Sequence, residues 1–312
     1  MTDTITSPEG VSFYPTGELE VRNKYIVGQV VDEGNKQFFL KAVKERDNPA
    51  VQADLQNEVH WNQVISPQVD EDYWSIPEVV THAPDYKWAV FEYVSGAQPR
   101  EEEIENWVPV VTGIAMALGR VPLGRTGSDL TKWYQGRLGR FDSVTGSSYF
   151  DEADRKAVDS LINGGSIVSR IRAGVIHGDL NLKNLILANS DDWHTYLIDG
   201  EFGTLPGKPE WDKPRYHDIA YFYHLLRCQY HRPDLAEGFL QTCWLNVEQR
   251  FDTSAEDFMA EFNLSVLERT ISMMSHFIIN LAEGKVVDDE RRTVAEPYVE
   301  TIHSALEILT KP

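Results

Sequence analysis

Asp179, Asn184 and Asp199 stand out because of the residues that frame them. They lie in Val175-Ile176-His177-Gly178-Asp179-Leu180-Asn181-Leu182-Lys183-Asn184-Leu185-Ile186-Leu187 and in Tyr196-Leu197-Ile198-Asp199-Gly200-Glu201-Phe202-Gly203, between apolar triplets of strand grade. Asp179 and Asn184 are five residues apart on one loop, and Asp199 follows the next apolar run after a turn expected at Asn189 to Asp192. Pairing of the two runs as strands would bring all three polar groups to one edge. Two carboxylates and one carboxamide form a hard-oxygen donor set suited to Mg²⁺ held jointly with phosphate oxygens, with one carboxylate left over as a base.

Such an edge needs elements to carry it. From Val11 to Val94 the pattern is mainly strand-like, with short runs rich in Val, Ile, Phe and Tyr. Tyr25 to Val31 and Gln37 to Val43 form a hairpin, because Asp32, Glu33, Gly34 and Asn35 between them tolerate the backbone of a tight turn. Val51 to Ile65 changes to a helical period through Val51, Leu55, Val59 and either Asn62 or Gln63. Two further strands are expected at Pro77 to His82 and Lys87 to Val94, joined at Pro84 and Asp85. Ser95-Gly96-Ala97-Gln98-Pro99 then breaks the pattern, and helical periodicity dominates the rest of the chain. The lobe boundary therefore falls between 1–94 and 95–312. In the second part, Asp151 with Asp154 opens a helix that stops at Gly164 and Gly165. Ser254 with Asp257 is a capping-box variant leading an amphipathic stretch through Phe258, Phe262, Leu267, Ile271, Met274, Ile278 and Leu281, which reads as core.

HGDLNLKN at 177–184 resembles the catalytic loop of the protein-kinase-like superfamily, in the form used by aminoglycoside phosphotransferases and by choline and homoserine kinase relatives. IDGEFG at 198–203 resembles that group's counterpart of DFG. Phe38-Phe39-Leu40-Lys41 resembles the strand with the phosphate-binding lysine, and Glu58 sits where the ion-pair glutamate belongs. Phe91-Glu92-Tyr93-Val94 resembles the interlobe hinge, and His217-Asp218-Ile219-Ala220 the element that packs beneath the catalytic loop. The resemblance implies an α+β, two-lobed protein-kinase-like fold: a small antiparallel-sheet N-lobe with one main helix, and a larger, mostly helical C-lobe carrying the catalytic loop and acceptor site.

It also implies roles. Lys41, held by Glu58, would neutralise the α- and β-phosphates of ATP. Asn184 and Asp199 would carry Mg²⁺, and Asp179 would orient the acceptor hydroxyl and take its proton. The hinge backbone at Glu92 and Val94 would pair with adenine, and Phe91 would set the depth of that pocket. His177 is expected to pack and hydrogen-bond within the loop, Lys183 to be solvated, and Glu201 to orient the loop or the substrate. Taken singly, Lys41 reads as a solvated edge residue and Glu58 as a solubilising one; the downstream motif reverses that. The activity implied is transfer of the γ-phosphate of ATP to a hydroxyl of a small molecule. A catalytically silent nucleotide-binding or scaffolding relative is the alternative.

The pattern departs from the family in two places. No GxGxxG precedes Lys41, and the first hairpin, Gly17 to Tyr25, has Asn23 and Lys24 at its tip. Asp199 to Asp218 leaves little room for an activation loop, which disfavours a protein substrate.

The 312 residues sum to a net charge of −20, which disfavours nucleic acid and anionic membrane surfaces as partners. No apolar run is long enough to span a bilayer, and Met1 to Thr6 show no secretory signal. Cys228 and Cys243 are too few for a disulfide framework and read as buried thiols of a cytoplasmic protein. After residue 230 the chain carries 15 Asp and Glu against 7 Lys and Arg, and Glu101, Glu102, Glu103 and Glu105 add to it. Such a field would favour a cationic acceptor such as an aminoglycoside or an amino alcohol; a uniformly acidic, solubilising surface is the competing reading.

Overall fold

The computed structural model describes residues 4–45, 47–69, 73–123, 130–145, 149–164, 168, 171–189, 194–251, 253–282 and 291–311. The expected turn at Asn189 to Asp192, from residue 190 on, lies outside them, as do Gly165 and the side chain of Leu281.

The strand-patterned part contains β1 (Ile5–Thr6), β2 (Ser12–Pro15), β3 (Glu20–Val21), β4 (Tyr25–Val31), β5 (Gln37–Val43), β6 (Trp74–Ser75), β7 (Val79–His82) and β8 (Trp88–Glu92), with helix α1 (Pro49–Ile65) between β5 and β6. An antiparallel sheet runs β1-β2-β4-β5-β8-β7, and β3 also pairs with β4. β4 and β5 pair from Tyr25↔Val43 to Val31↔Gln37. Their loop is closed by Asp32 Oδ1, which accepts from the N–H groups of Gly34 (2.8 Å) and Lys36 (2.9 Å), and Asn35 takes a positive φ of 62°.

β5 separates two small cores. Phe38 and Leu40 pack with Phe13, Val30 and Val90 on one face. On the other, Val43 joins Tyr25, Val27, Ala89 and Phe91 beneath Leu55 and Val59 of α1. Leu55 and Val59 are fully buried, and each such side chain contributes about 1.5–3 kcal/mol. Asn48 caps α1 by accepting from the Val51 N–H, with Pro49 in its first turn. The helix buries Asn57, Glu58 and Asn62 as well as its apolar residues, so the choice left open between Asn62 and Gln63 falls to Asn62.

The remaining strands are β9 (Gly96–Ala97), β10 (Ala173–Gly174), β11 (Leu185–Ala188), β12 (Thr195–Leu197) and β13 (Lys213–Pro214). A four-stranded sheet runs β6-β12-β11-β9. Ser95 to Pro99, expected as a break, therefore contains a strand: Gly96 and Ala97 pair with Ala188 and Leu187. A two-residue strand is too short to carry a periodic pattern, and its partner lies some ninety positions away. This sheet also explains how the chain divides. One compact unit comprises 1–100 with 177–205, and the other 101–176 with 206–312. The hairpin of β11 and β12 is thus counted with the first unit.

The second unit is helical: α2 (Ile104–Arg120), α3 (Thr131–Leu138), α4 (Phe141–Thr145), α5 (Glu152–Gly164), α6 (His217–His224), α7 (Pro233–Arg250), α8 (Ala255–Ala282) and α9 (Arg291–Thr310). Both expected helix starts are present. Asp151 Oδ1 accepts from the Ala153 and Asp154 N–H groups, and Ser254 Oγ accepts from the Asp257 N–H. Phe258, Phe262, Leu267, Ile271 and Met274 of α8 are buried, as are Cys228 and Cys243. Among the described residues no helix is long and apolar enough to cross a membrane.

Candidate active site

Alternation along β5 puts Phe39, Lys41 and Val43 on the face toward α1, which forces an ammonium into an apolar layer. Lys41 is 4% exposed, a position a lysine holds only when its charge is matched. Its Nζ donates to Glu58 Oε2 at 2.7 Å and to Asp199 Oδ1 at 2.8 Å, with Glu201 Oε2 at 3.9 Å. It also lies 4.3 Å over the Tyr25 ring. Burial by itself would favour the neutral amine, but Glu58, Asp199 and Glu201 hold the Lys41 pKa above its ordinary value. Glu58 feels the other side of this arrangement. Burial, with the neighbouring Asp199 and Glu201 charges, lifts its carboxyl to about 7 against the pull of Lys41.

The loop 177–184 is built from its own polar side chains. Asn181 Oδ1 accepts from the Lys183 N–H (2.8 Å) and caps the 3₁₀ turn Leu182–Asn184. Asn184 Nδ2 donates to Asp179 O (2.9 Å) and to Asp179 Oδ2 (3.1 Å), so the carboxamide orients the carboxylate and keeps its own oxygen as the donor for a cation. β11 and β12 pair with Leu185 opposite Leu197, and the Ile198 N–H donates to Asn184 O at 2.9 Å. Asn184 precedes β11 and Asp199 follows β12, so the antiparallel pairing brings them to the same end. His177 is fully buried, with Nε2 2.8 Å from Ile198 O and its ring edge-on to Trp61 at 5.4 Å.

Asp199 has φ 61° and ψ 49°, the left-handed region, which costs a non-glycine residue of the order of 1 kcal/mol and is tolerated where surroundings hold it. Burial works against its charge, yet the Lys41 charge and hydrogen bond, helped by His177 and Arg22, hold its carboxyl below the ordinary range. The next turn is held by α1. Asn57 Nδ2 donates to Glu201 O (2.8 Å) and Gly203 O (3.1 Å). Gly200 and Gly203 lie so close to Trp61 that an added Cβ would sit 2.4 and 2.2 Å from the indole, so both positions require glycine. Glu201 is buried to 9% exposure, accepting from Tyr25 Oη at 2.8 Å and Lys24 Nζ at 3.1 Å.

These groups surround one cavity of about 540 Å³. Lys41, Glu58, Asp179, Asp199 and Glu201 line its polar end, and Val27, Phe39, Phe91, Ile186 and Ile198 an apolar slot. Glu92 and Val94 also line it. The Glu92 N–H donates to Glu78 O at 2.8 Å, and its side chain accepts from the Glu78 N–H at 3.4 Å. Asn184 and His177 are not part of the lining but are bonded to the lining residues Asp179 and Ile198. Asp218 lies in the helical unit, buried in the first turn of α6, and Lys183 is exposed. Sequence reasoning passed over Tyr25, Asn57 and Trp61. The polar Asn57 on an otherwise buried helix face was the only local signal for any of them.

Among the described residues no cluster of three His, Cys, Asp or Glu has metal-binding geometry. Asp199 with Asn184 does suit Mg²⁺, which takes one or two protein oxygens and fills its octahedron with water and phosphate.

No protein-family model and no curated protein matches the sequence. Solved structures do match along nearly the whole chain. Amicoumacin kinase hAmiN in complex with AMP-PNP, Ca²⁺ and Ami has a TM-score of 0.58 at 14% identity, covering 96% of this chain and 90% of that one. The GDP complex of wild-type aminoglycoside 2'-phosphotransferase-IIIa has 0.56 at 15%, covering 93% and 91%. Choline kinase LicA from Streptococcus pneumoniae has 0.54 at 16%, covering 96% and 93%. The chain therefore has the α+β, kinase-like fold shared by aminoglycoside and macrolide phosphotransferases and by choline and ethanolamine kinases.

Proposed function

We propose that this protein is an ATP- and Mg²⁺-dependent phosphotransferase that moves the γ-phosphate to a hydroxyl of a small molecule. The observation that carries the reading is the joined set around one cavity: Lys41 bonded to Glu58 (2.7 Å) and Asp199 (2.8 Å), with Asn184 bonded to Asp179 (3.1 Å). In this reading the apolar slot takes the adenine, with the hinge at Glu92 and Val94 supplying backbone partners and Phe91 the slot's end. Lys41 neutralises the α- and β-phosphates, and Glu58 fixes where its ammonium stands. Bound Mg²⁺, held by Asn184 and Asp199, supplies the remaining charge neutralisation. Asp179 accepts the proton of the acceptor hydroxyl as its oxygen bonds to the γ-phosphorus. The bond from that phosphorus to the β–γ bridging oxygen breaks, and ADP leaves with the electron pair. Residues 1–94 act as the nucleotide lobe, and 95–312 contribute the catalytic loop and the acceptor site.

The net charge of −20 and the acidic stretch after residue 230 favour a cationic acceptor, an aminoglycoside or amino alcohol, in a cytoplasmic setting where ATP and the buried thiols Cys228 and Cys243 both persist. The test is ATP and GTP consumption by the purified protein against aminoglycosides, choline, ethanolamine, homoserine, sugars and macrolides, with Asp179→Asn as control. Acceptor-dependent consumption that the variant loses supports the reading. Tight nucleotide binding with no consumption across the panel favours a silent, nucleotide-binding protein instead.

A further inference from the structure

Phosphoryl-transfer sites commonly cover the nucleotide phosphates with a glycine-rich loop whose backbone N–H groups act as donors. Here the hairpin β3–β4 occupies that place in the chain, and its tip is Arg22-Asn23-Lys24. The Arg22 N–H is spent on Tyr25 O at 2.8 Å. Gly28 of β4 is closed off, since a Cβ there would lie 2.7 Å from Leu19 Cδ2. Arg22, Asn23 and Lys24 of the tip all line the cavity, and Lys24 does so together with Lys41 and Asp199. Its Nζ stands 2.8 Å from Asp54 Oδ2 on α1 and 3.1 Å from Glu201 Oε1, and 5.1 Å over the Phe202 ring. The side chain is 33% exposed, against 5% for Lys41.

Charge makes this cation matter. Glu58, Glu92, Asp179, Asp199 and Glu201 line the cavity against Arg22, Lys24 and Lys41, so a polyphosphate meets a net negative wall. Lys41 is already committed to Glu58 at 2.7 Å, and Arg22 is paired with Glu20 at 3.0 Å. Lys24 is tethered by carboxylates that have no part in proton transfer and can be exchanged for phosphate oxygens, one anionic partner for another. Burial opposes its charge, but Asp54 and Glu201 keep its pKa above the ordinary value, so it stays an ammonium.

We propose that Lys24 is a phosphate ligand for a nucleoside polyphosphate, its ammonium exchanging Asp54 and Glu201 for phosphate oxygens at a hairpin that lacks the glycine-rich motif. The assignment rests on the phosphotransferase reading. The experiment measures binding of MgATP, MgGTP and adenosine to the full chain by calorimetry, for the unaltered protein, Lys24→Met, Lys24→Arg and Asp54→Asn. Lys24→Met is expected to weaken the triphosphate that binds by roughly tenfold or more, the range for losing one charge-assisted hydrogen bond, while adenosine binding stays unchanged. Lys24→Arg should retain most of the affinity, and Asp54→Asn, which frees the ammonium, should keep or tighten it. Unchanged triphosphate affinity in Lys24→Met overturns the assignment and leaves the phosphotransferase reading standing. So does an equal loss for adenosine, or an Asp54→Asn loss as large as that of Lys24→Met, since either makes Lys24 a strap that only holds the hairpin down. If the unaltered protein binds neither triphosphate, the phosphotransferase reading falls and the assignment with it.

Discussion

Glu58 offers a test of the candidate site that needs no substrate. Its side chain is buried at the wall of the cavity, and burial together with the Asp199 and Glu201 charges lifts its carboxyl from 4.5 to about 7 despite Lys41. The native state therefore holds a proton at Glu58 more tightly than the unfolded chain does. The stability this confers is fully present below about pH 4.5, the unfolded value, and is lost as the pH rises through about 7, the folded value. At roughly 1.4 kcal/mol for each tenfold change in acidity, the loss amounts to about 3 kcal/mol. Lys41 does not cancel it, because a lysine lifted above 10.5 changes its contribution only in more alkaline solution. Nor does Asp199, whose lowered carboxyl titrates below the window. Glu58→Gln removes the titrating group and keeps the shape. Urea denaturation of both proteins across the window from about pH 4.5 to 8 should show the variant gaining about 3 kcal/mol relative to the parent as pH rises. Parallel pH profiles would refute the reasoning, since they would mean that Glu58 is ionised throughout and that Lys41 fully compensates it.

Asp179→Asn should lower turnover by about 10² to 10⁴, the range for losing a general base, with nucleotide affinity retained in calorimetry; full activity would remove Asp179 from the chemistry. Asp199→Ala should weaken MgATP binding and raise the Mg²⁺ requirement, because it deletes the charged oxygen ligand, and normal MgATP binding would show the metal assignment to be wrong. Gly203→Ala would set a Cβ 2.2 Å from Trp61 Cδ1, an overpacking expected to cost about 1–3 kcal/mol in a denaturation midpoint; parental stability would mean that the turn after Asp199 yields without strain. For a cationic acceptor, kcat/KM should fall as salt rises, since exposed acidic charge is screened over a Debye length of roughly 8 Å at 0.15 M ionic strength. A flat response, or a neutral best acceptor, makes the acidic surface a matter of solubility alone.

Local chemistry in the chain determined a good deal of this molecule. The hairpin Tyr25–Val31 to Gln37–Val43, the helix ending at Ile65 and the capped starts at Asp151 and Ser254 depend on turn residues, period and caps that act within a few positions. The convergence of Asn184 and Asp199 follows from the same short range, because the two strands that carry them are consecutive and antiparallel. Tertiary structure alone decided the partners. Tyr25 and Lys24 meet Glu201 across 176 and 177 positions, and Asn57 holds Glu201 and Gly203 across 144 and 146. Gly96 and Ala97 become a strand only because β11 comes to lie beside them. Lys41 illustrates both levels: its strand can be anticipated from the local pattern and its pairing with Glu58 from the family resemblance, whereas the second and third carboxylates around it come from the docking of residues 199–201 onto α1. Side-chain period records which face of an element is buried, but what that face meets is set by the path of the whole chain, and a buried ammonium finds its charge balance only there.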